Sequence, residues 1–410
     1  MRLNKIQKQR LDARVVLPPS KSIANRLLMI QALSDAPNVL VDVPESRDVL
    51  LLQKHLTNHE GECCFEDAGT PLRFYLAYAA LKGNGGRIID GFERLRQRPL
   101  RDLLEALESA GAVFEYLESA YLLPLKVKKT IDTSSTVFRL KGSVSSQFIS
   151  ALMLIAPCFD GNVRIELTDE LRSAPYVEMT AKLMAQSGVS CVVRDKVIEI
   201  EHGKYHVGQN HVEADWSAAA FLYSQLAVAG SGQLLFSNLS MNSVQGDSRL
   251  FEVFELFGLT TTMKDELVCV EAGGKQVEKL ELDLKDIPDM FPALCATVVV
   301  MQIPAVFTGV RNLRDKESDR IAAMQAASVG LGAEFTMLNE DVLQITNTGR
   351  RDETLVIQTV GDHRIAMACA VYAYCADVNL DDEKVVKKSF AGFWEIYTQL
   401  HGKLTKEVTE

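Results

Sequence analysis

A chain of 410 residues is too long for one ordinary hydrophobic core and points to two or three domains. Its 47% hydrophobic and 24% charged residues are those of a soluble globular protein. A formal net charge of −10 makes nucleic acid and anionic membranes poor partners overall, while leaving room for a local basic site.

In chain order, Met1 to Arg10 is polar and basic with no apolar signal core. No later stretch reaches the roughly 20 apolar residues that span a bilayer, the longest being Met290 to Val300. The chain is therefore expected in the cytoplasm, with its eight cysteines, none in a CxxC pair, as buried reduced thiols. Ser20 is placed to cap a helix with the apolar stripe Ile23, Leu27 and Ile30. His55 to Phe65 reads as a helix end at Gly61 followed by an alternating strand. Thr70 is expected to cap the next helix, with Pro71 at its first position, and Pro99 to open a helix over Leu100 to Gly111. The helix–glycine–strand phrase recurs at Leu104 to Tyr116 around Gly111, and around Gly188, Gly258 and Gly330/Gly332. Ser145-Ser146 precede a helix over Gln147 to Pro157, Ile287-Pro288-Asp289 open a very apolar helix, and Asp362 precedes another over Ile365 to Cys375. A last helix, Phe390 to His401, ends at Gly402 with little chain left for its strand. Either one α/β unit has been duplicated, or the phrase is simply the common idiom of α/β proteins. Helices that open polar expose N–H groups and a partial positive charge, so cations beside several such ends suggest an anionic substrate.

The cations occur in short constellations. Lys21, Ser22 and Arg26 lie in Pro19-Ser20-Lys21-Ser22-Ile23-Ala24-Asn25-Arg26, where Ser22 and Arg26 share a helical face. Asp67-Ala68-Gly69-Thr70 offers a close backbone approach at Gly69, and Arg98 stands before Pro99. Gly142-Ser143-Val144-Ser145-Ser146-Gln147 can cradle a phosphate. Asp289, at the mouth of an apolar helix, is expected to have its pKa raised by burial, as suits a general base. Asn312, Lys316-Glu317-Ser318-Asp319-Arg320, Asp362-His363-Arg364 and Lys387-Lys388-Ser389-Phe390 complete the series. Each has a bland reading as a helix cap, a turn or a solvated charge run. Two histidine pairs, His55/His59 near Cys63-Cys64 and His202/His206 near His211, have zinc-like spacing but lack supporting acids, so no metal is expected.

In this order, from about Leu17 to Phe390, the motifs resemble the series of the EPSP synthase (3-phosphoshikimate 1-carboxyvinyltransferase) family of enolpyruvyl transferases. The resemblance implies an α/β fold of two similar domains, each of three βαβαββ-like units with helices inside and sheets outside. The first domain would be 20–212 and the second 1–19 with 213–410, the N-terminal segment supplying the strand missing after Gly402, and the active site would lie in the cleft between them. It implies transfer of the enolpyruvyl group of phosphoenolpyruvate to the 5-hydroxyl of shikimate 3-phosphate, by a monomer needing no cofactor. Lys21, Ser22, Arg26, Ser145, Ser146, Gln147, Ser173, Tyr176, Asp289, Asn312 and Lys316 match shikimate 3-phosphate contacts. Lys21, Gly69, Arg98, Gln147, Arg320, Arg364 and Lys388 match the phosphoenolpyruvate site. Asp289 and Glu317, with Lys21, match the proton acceptor and donor, and inhibition by glyphosate competitive with phosphoenolpyruvate is implied.

Several positions depart from the family pattern. Asp67 replaces an asparagine, Ala174 a lysine and Ala391-Gly392 a Pro-Asp, and Trp216 interrupts a run of small residues. The UDP-N-acetylglucosamine enolpyruvyl transferases are disfavoured because Ser22 follows Lys21 where they place asparagine, and Arg94 to Leu100 holds no cysteine. A non-catalytic relative would be expected to lack Asp289 or Glu317. Both substrates carry a phosphate and a carboxylate, together roughly six negative charges. The seven cations Lys21, Arg26, Arg98, Lys316, Arg320, Arg364 and Lys388 would balance them, and their mutual repulsion is expected to hold the cleft open until substrates arrive.

Overall fold

The computed structural model describes residues 1–35, 40–58, 60–206, 210–349 and 351–402. The chain divides into two units, a continuous one, Pro19–Val212, and a discontinuous one, Met1–Pro18 with Glu213–Glu410. Four four-stranded sheets, two in each unit, follow one plan. In the continuous unit they are Cys63–Cys64, Ile89–Asp90, Leu125–Lys129 and Val113–Tyr116, and Val137–Leu140, Val163–Leu167, Val197–Ile200 and Cys191–Arg194, in spatial order. In the discontinuous unit they are Leu11–Val15, Gly232–Phe236, Leu267–Gln276 and Phe257–Lys264, and Leu280–Asp283, Ala305–Thr308, Val342–Asn347 and Ala333–Asn339. In each, the first two strands run parallel and the remaining neighbours antiparallel.

A parallel pair cannot be closed by a tight turn, so a helix must carry the chain back between its strands. Those crossover helices form the core. All 14 residues of Trp216–Ala229 are buried, as are Phe291 to Val300 of Phe291–Met301. Val163–Leu167 alternates instead, with Arg164 exposed between Val163 and Ile165, so the sheets keep one face outward. The expected α/β fold, with helices inside and sheets outside, is what each unit shows. Gly61, Gly111, Gly188, Gly258, Gly332 and Gly402, which end the repeated phrase, all have positive φ.

The third repeat of each unit is assembled from distant segments. Thr354–Ile357 and Asp377–Leu380 run parallel, and Arg2–Leu3 adds antiparallel against Val378 and Asn379, where the other sheets have a returning strand. In the continuous unit Asn210–His211 runs parallel to Leu40–Val41.

Several helix starts differ from expectation. Gly69–Lys82 begins before Thr70 with Ala68 at its N-cap, and Pro71 is accommodated because first-turn N–H groups have no intrahelical partner. Arg101–Ser109 begins after Pro99, with Leu100 at the N-cap. The helix after Asp362 is α-helical only over His363–Cys369 and then tightens to 3₁₀ over Ala370–Tyr374, and the last helix starts at Phe393. Ser20 stands at the N-cap of Lys21–Leu33 without a capping hydrogen bond from its side chain. Of the eight free thiols, Cys63, Cys269, Cys295, Cys369 and Cys375 are buried as expected, while Cys64, Cys158 and Cys191 are partly exposed. No helix among the described residues is long and apolar enough to cross a membrane.

Gly232 makes the seam between the N-terminal strand and its sheet testable. It pairs with Leu11 at φ +113°, and a Cβ there would lie 2.0 Å from the Leu11 carbonyl oxygen. Gly232→Ala is expected to cost on the order of 3 kcal/mol, read as a lower urea midpoint. An unchanged midpoint would contradict this pairing.

Candidate active site

In the discontinuous unit, three connections that follow strands or open helices bring acids and bases together. Asp289 lies in the 3₁₀ turn Pro288–Met290 that leads into Phe291–Met301. Arg320 opens the helix Arg320–Ser328, and Arg364 lies in the first turn of His363–Cys369. Arg320 donates from Nη1 to Asp289 Oδ1 at 2.8 Å and from Nε to Asp362 Oδ2 at 3.0 Å. Arg364 Nη2 donates to Asp289 Oδ2 at 3.1 Å, and Lys316 Nζ lies 3.6 Å from Asp289 Oδ1. Ser318 donates to Asp362 Oδ2, whose other oxygen caps its helix by accepting from the Arg364 N–H. A second knot adjoins it, with Glu317 Oε2 2.9 Å from His363 Nδ1 and 3.2 Å from Lys388 Nζ. Asn312 is half-buried in the turn Arg311–Leu313 that precedes Lys316 and Glu317.

Burial alone would raise the Asp289 pKa, as the sequence reading expects. Arg364, Lys316 and Arg320 outweigh burial and hold the carboxyl well below the usual range, so that expectation is corrected. The raised carboxyl is Asp247, buried in the turn Gly246–Arg249 and hydrogen-bonded by the Ser217 hydroxyl. Burial first, then the charge of Asp289, push it up to about 6. The four cations of this unit are thus already matched by Asp289, Asp362 and Glu317. They are not the bare, mutually repelling set that the sequence leads one to expect.

In the continuous unit, Lys21 Nζ lies 3.1 Å from Asp48 Oδ2 at the start of Lys21–Leu33, with Ser22 next to it. Arg26 is buried and donates to the hydroxyls of Thr180 and Ser150 and the carbonyls of Ser22 and Tyr176, and desolvation lowers its pKa to about 10. Arg98 folds over Gly69, where a Cβ would lie 2.1 Å from Arg98 Nη1 and 2.5 Å from Arg73 Nη1. Arg73 is only 3% exposed, its Nε and Nη1 have no hydrogen-bond partner, and burial and then Arg98 drive its pKa well down. Two guanidinium groups sit side by side above a helix N-terminus, which is the electrostatic signature of an anion seat. Ser145 caps Ser146–Ile155 by accepting from the Gln147 N–H, and the buried Gln147 Oε1 has no hydrogen-bond partner. Ser173 stands at the N-cap of Ala174–Gln186 without a capping hydrogen bond from its side chain, at φ +56°, a left-handed conformation rare for serine, and Tyr176 follows in the first turn.

The sequence matches the family model of EPSP synthase (3-phosphoshikimate 1-carboxyvinyltransferase) over residues 6–67 and 62–397. The chain belongs to the EPSP synthase family. A 3-phosphoshikimate 1-carboxyvinyltransferase from Bacteroides fragilis is 36% identical over 388 residues, 94% of each chain. One from Syntrophobacter fumaroxidans is 33% identical, covering 95% of this chain and 97% of that one. Among solved structures, EPSP synthase from Acinetobacter baumannii superposes with a TM-score of 0.77 at 18% identity over 98% of both chains, a likeness of fold.

Within this EPSP synthase framework, the structure joins Asp289, Lys316, Glu317, Arg320, Arg364 and Lys388 in one network of the discontinuous unit. It sets Lys21, Ser22 and Arg26 on one helix, Gly69 against Arg98, and Ser145, Ser146, Gln147, Ser173 and Tyr176 at two helix starts of the continuous unit. Lys388 meets Glu317 despite the altered Ala391-Gly392 that follows it. Trp216 is buried and donates from its indole to the Ser240 carbonyl. Sequence reasoning misses Arg73, Asp48 and Asp247. Arg73 alone had a visible signal, lying one helical turn after Gly69. His55 contacts the Cys64 carbonyl and His202 the Phe159 carbonyl, and His59 lies outside the described residues. Among the described residues Glu317, Asp362 and His363 could approach a metal, but Arg320 and Lys388 already answer their charge.

Asp247 gives a pH-dependent expectation. A folded pKa raised from 3.8 to about 6 means that the native state holds the proton more tightly. Stability then falls as pH rises from about 4 through 6, and by neutral pH the buried charge costs about 3 kcal/mol. Asp247→Asn is expected to raise the melting temperature at pH 8, with the gain shrinking at pH 5, by scanning calorimetry. A gain equal at both pH values would refute the shift.

Proposed function

We propose that this chain transfers the enolpyruvyl group of phosphoenolpyruvate to the 5-hydroxyl of shikimate 3-phosphate and releases inorganic phosphate. The observation that carries the reading is the network around Asp289 and Glu317, where two carboxylates of a matching family member are each already held by cations suited to phosphate and carboxylate groups.

In this reading Lys21, Ser22, Arg26, Ser145, Ser146, Gln147, Ser173, Tyr176, Asp289, Asn312 and Lys316 hold shikimate 3-phosphate. Lys21, Gly69, Arg98, Gln147, Arg320, Arg364 and Lys388 hold phosphoenolpyruvate. The substrates' anionic groups compete with Asp289 for Arg320 and Arg364. As those cations turn to substrate, the influence that depresses the proton affinity of Asp289 weakens, so the base is released when it is needed. Asp289 takes the proton of the 5-hydroxyl as its oxygen bonds to the central carbon of phosphoenolpyruvate, and Glu317 delivers a proton to the methylene carbon. Glu317, left ionised, then takes a proton back from the resulting methyl group, the double bond re-forms as the carbon–oxygen bond to phosphate breaks, and Asp289 gives its proton to the departing phosphate. His363 and Lys388, both touching Glu317, keep its proton supplied and its orientation set. The reading has the enzyme working in the cytoplasm as a single chain, without metal or nucleotide, and inhibited by glyphosate in competition with phosphoenolpyruvate.

A phosphate-release assay with both substrates tests the reading. Asp289→Asn and Glu317→Gln are each expected to lower kcat by roughly 10²–10⁴-fold, the usual worth of a positioned acid or base. No release from the unaltered chain, or full activity in both variants, would overturn it. Gly69→Ala must push the Arg98 and Arg73 guanidinium groups aside. It is expected to raise KM for phosphoenolpyruvate by about 10-fold or more, with KM for shikimate 3-phosphate little changed.

A further inference from the structure

Two strand-to-helix connections leave the same edge of one sheet. Val137–Leu140 and Val163–Leu167 are parallel neighbours, with Leu140 opposite Leu167. The first leads through Ser143 to the helix Ser146–Ile155, and the second through Asp169 to Ser173 and the helix Ala174–Gln186. The backbone stitches them together where the Thr168 N–H meets the Leu140 carbonyl at 3.0 Å and the Arg172 N–H meets the Gly142 carbonyl at 3.2 Å. They pack so closely that a Cβ on Gly142 would lie 3.0 Å from the Glu170 carbonyl oxygen.

One side chain reinforces this seam with both of its oxygens. Asp169 Oδ1 accepts from the Ser143 N–H at 2.9 Å, and Oδ2 accepts from the Ser143 hydroxyl at 2.5 Å. Partial burial works to raise its proton affinity, but the hydroxyl and N–H of Ser143 and the N–H of Gly142 prevail, so its pKa stays below the ordinary value. Ser143 precedes Ser145 by two residues, and Asp169 precedes Ser173 by four. Both carboxylate oxygens of Asp169 are thus engaged by Ser143. Ser143 thereby differs from its neighbours, because its hydroxyl is spent on the clamp while Ser145 and Ser146 stay at the helix start. Ser173 keeps a left-handed φ of +56°, which serine sustains only where its surroundings over-determine it.

We propose that Asp169 is a positioning residue, clamping the Ser143–Gln147 loop to the Asp169–Ser173 segment so that Ser145, Ser146 and Ser173 converge as the phosphate seat for shikimate 3-phosphate. The proposal rests on the functional reading above and adds to it the residue that sets the seat's geometry. Losing the clamp should be felt as about a 10-fold or greater loss of affinity for shikimate 3-phosphate.

The test is calorimetric titration of the full chain with shikimate 3-phosphate, together with steady-state kinetics in both substrates. Asp169→Ala is expected to raise Kd and KM for shikimate 3-phosphate about 10-fold or more, while KM for phosphoenolpyruvate and kcat stay within about twofold. Asp169→Asn, which can still accept from the Ser143 N–H and donate to its hydroxyl oxygen, should recover most of the loss. Ser143→Ala, which deletes one arm of the clamp, should fall between, and it decides the matter should Asp169→Ala fail to fold. Unchanged Kd in the folded variants, or equal damage to both substrates, overturns the proposal. Failure of the unaltered chain to bind shikimate 3-phosphate would instead overturn the functional reading itself.

Discussion

A buried charge must be answered by another charge or by hydrogen bonds, and in the discontinuous unit that requirement is met around one guanidinium. Arg320 is 2% exposed and divides its donors between Asp289 and Asp362, itself 0% exposed. Removing either partner would strand an ion away from water, at a cost of several kcal/mol. The arrangement therefore holds as a whole. Asp362 caps the helix that carries Arg364, Arg364 returns to Asp289, and Asp289 stands at the mouth of a helix whose buried body is apolar but for Thr297. In these ion pairs an anionic ligand can stand in for a carboxylate at little electrostatic cost, because one anion substitutes for another.

The continuous unit meets the problem differently. Arg26 is surrounded by neutral oxygens, and Arg73 and Arg98 are crowded together over Gly69. Burial lowers the pKa of both Arg26 and Arg73, so both guanidinium groups are held away from water by the fold itself. The repeated strand–helix–strand plan makes both arrangements possible. Each crossover starts at a strand end and delivers a helix N-terminus to the same edge of its sheet. Ser145 in one unit, and Asp215 and Asp362 in the other, cap helices with their side chains, and Ser173 stands at the N-cap of another. One local geometry, multiplied, becomes a series of anion-attracting ends.

Much of this was legible in the residues. Glycines ending helices marked the repeats because only a few residue types tolerate positive φ, and the motif series named the cations because lysine and arginine cannot hide in a periodic apolar pattern. Less legible were effects that depend on what lies opposite. The pKa of Asp289 was misjudged because burial is visible in an apolar flank, whereas three cations drawn from segments 27 to 75 residues away are not. Asp247 and Asp169 gave no local signal at all, since Asp247 owes its shift to burial and to Asp289, and Asp169 meets a serine 26 residues distant. The start of Gly69–Lys82 was misplaced for the opposite reason, because Thr70-Pro71 is a strong local signal that the first turn absorbed.

By itself the sequence determined the recurring helix–glycine–strand phrase, the cations and carboxylates available and, through their order, the family. These follow from local rules of periodicity, φ preference and side-chain chemistry that act over a few residues. Only the tertiary structure decided which carboxylate answers which cation, which residues of the N-terminal segment join which strands, and which acid is held ionised and which drawn toward neutrality. Electrostatic energy depends on distance and burial, and neither exists until the chain has folded.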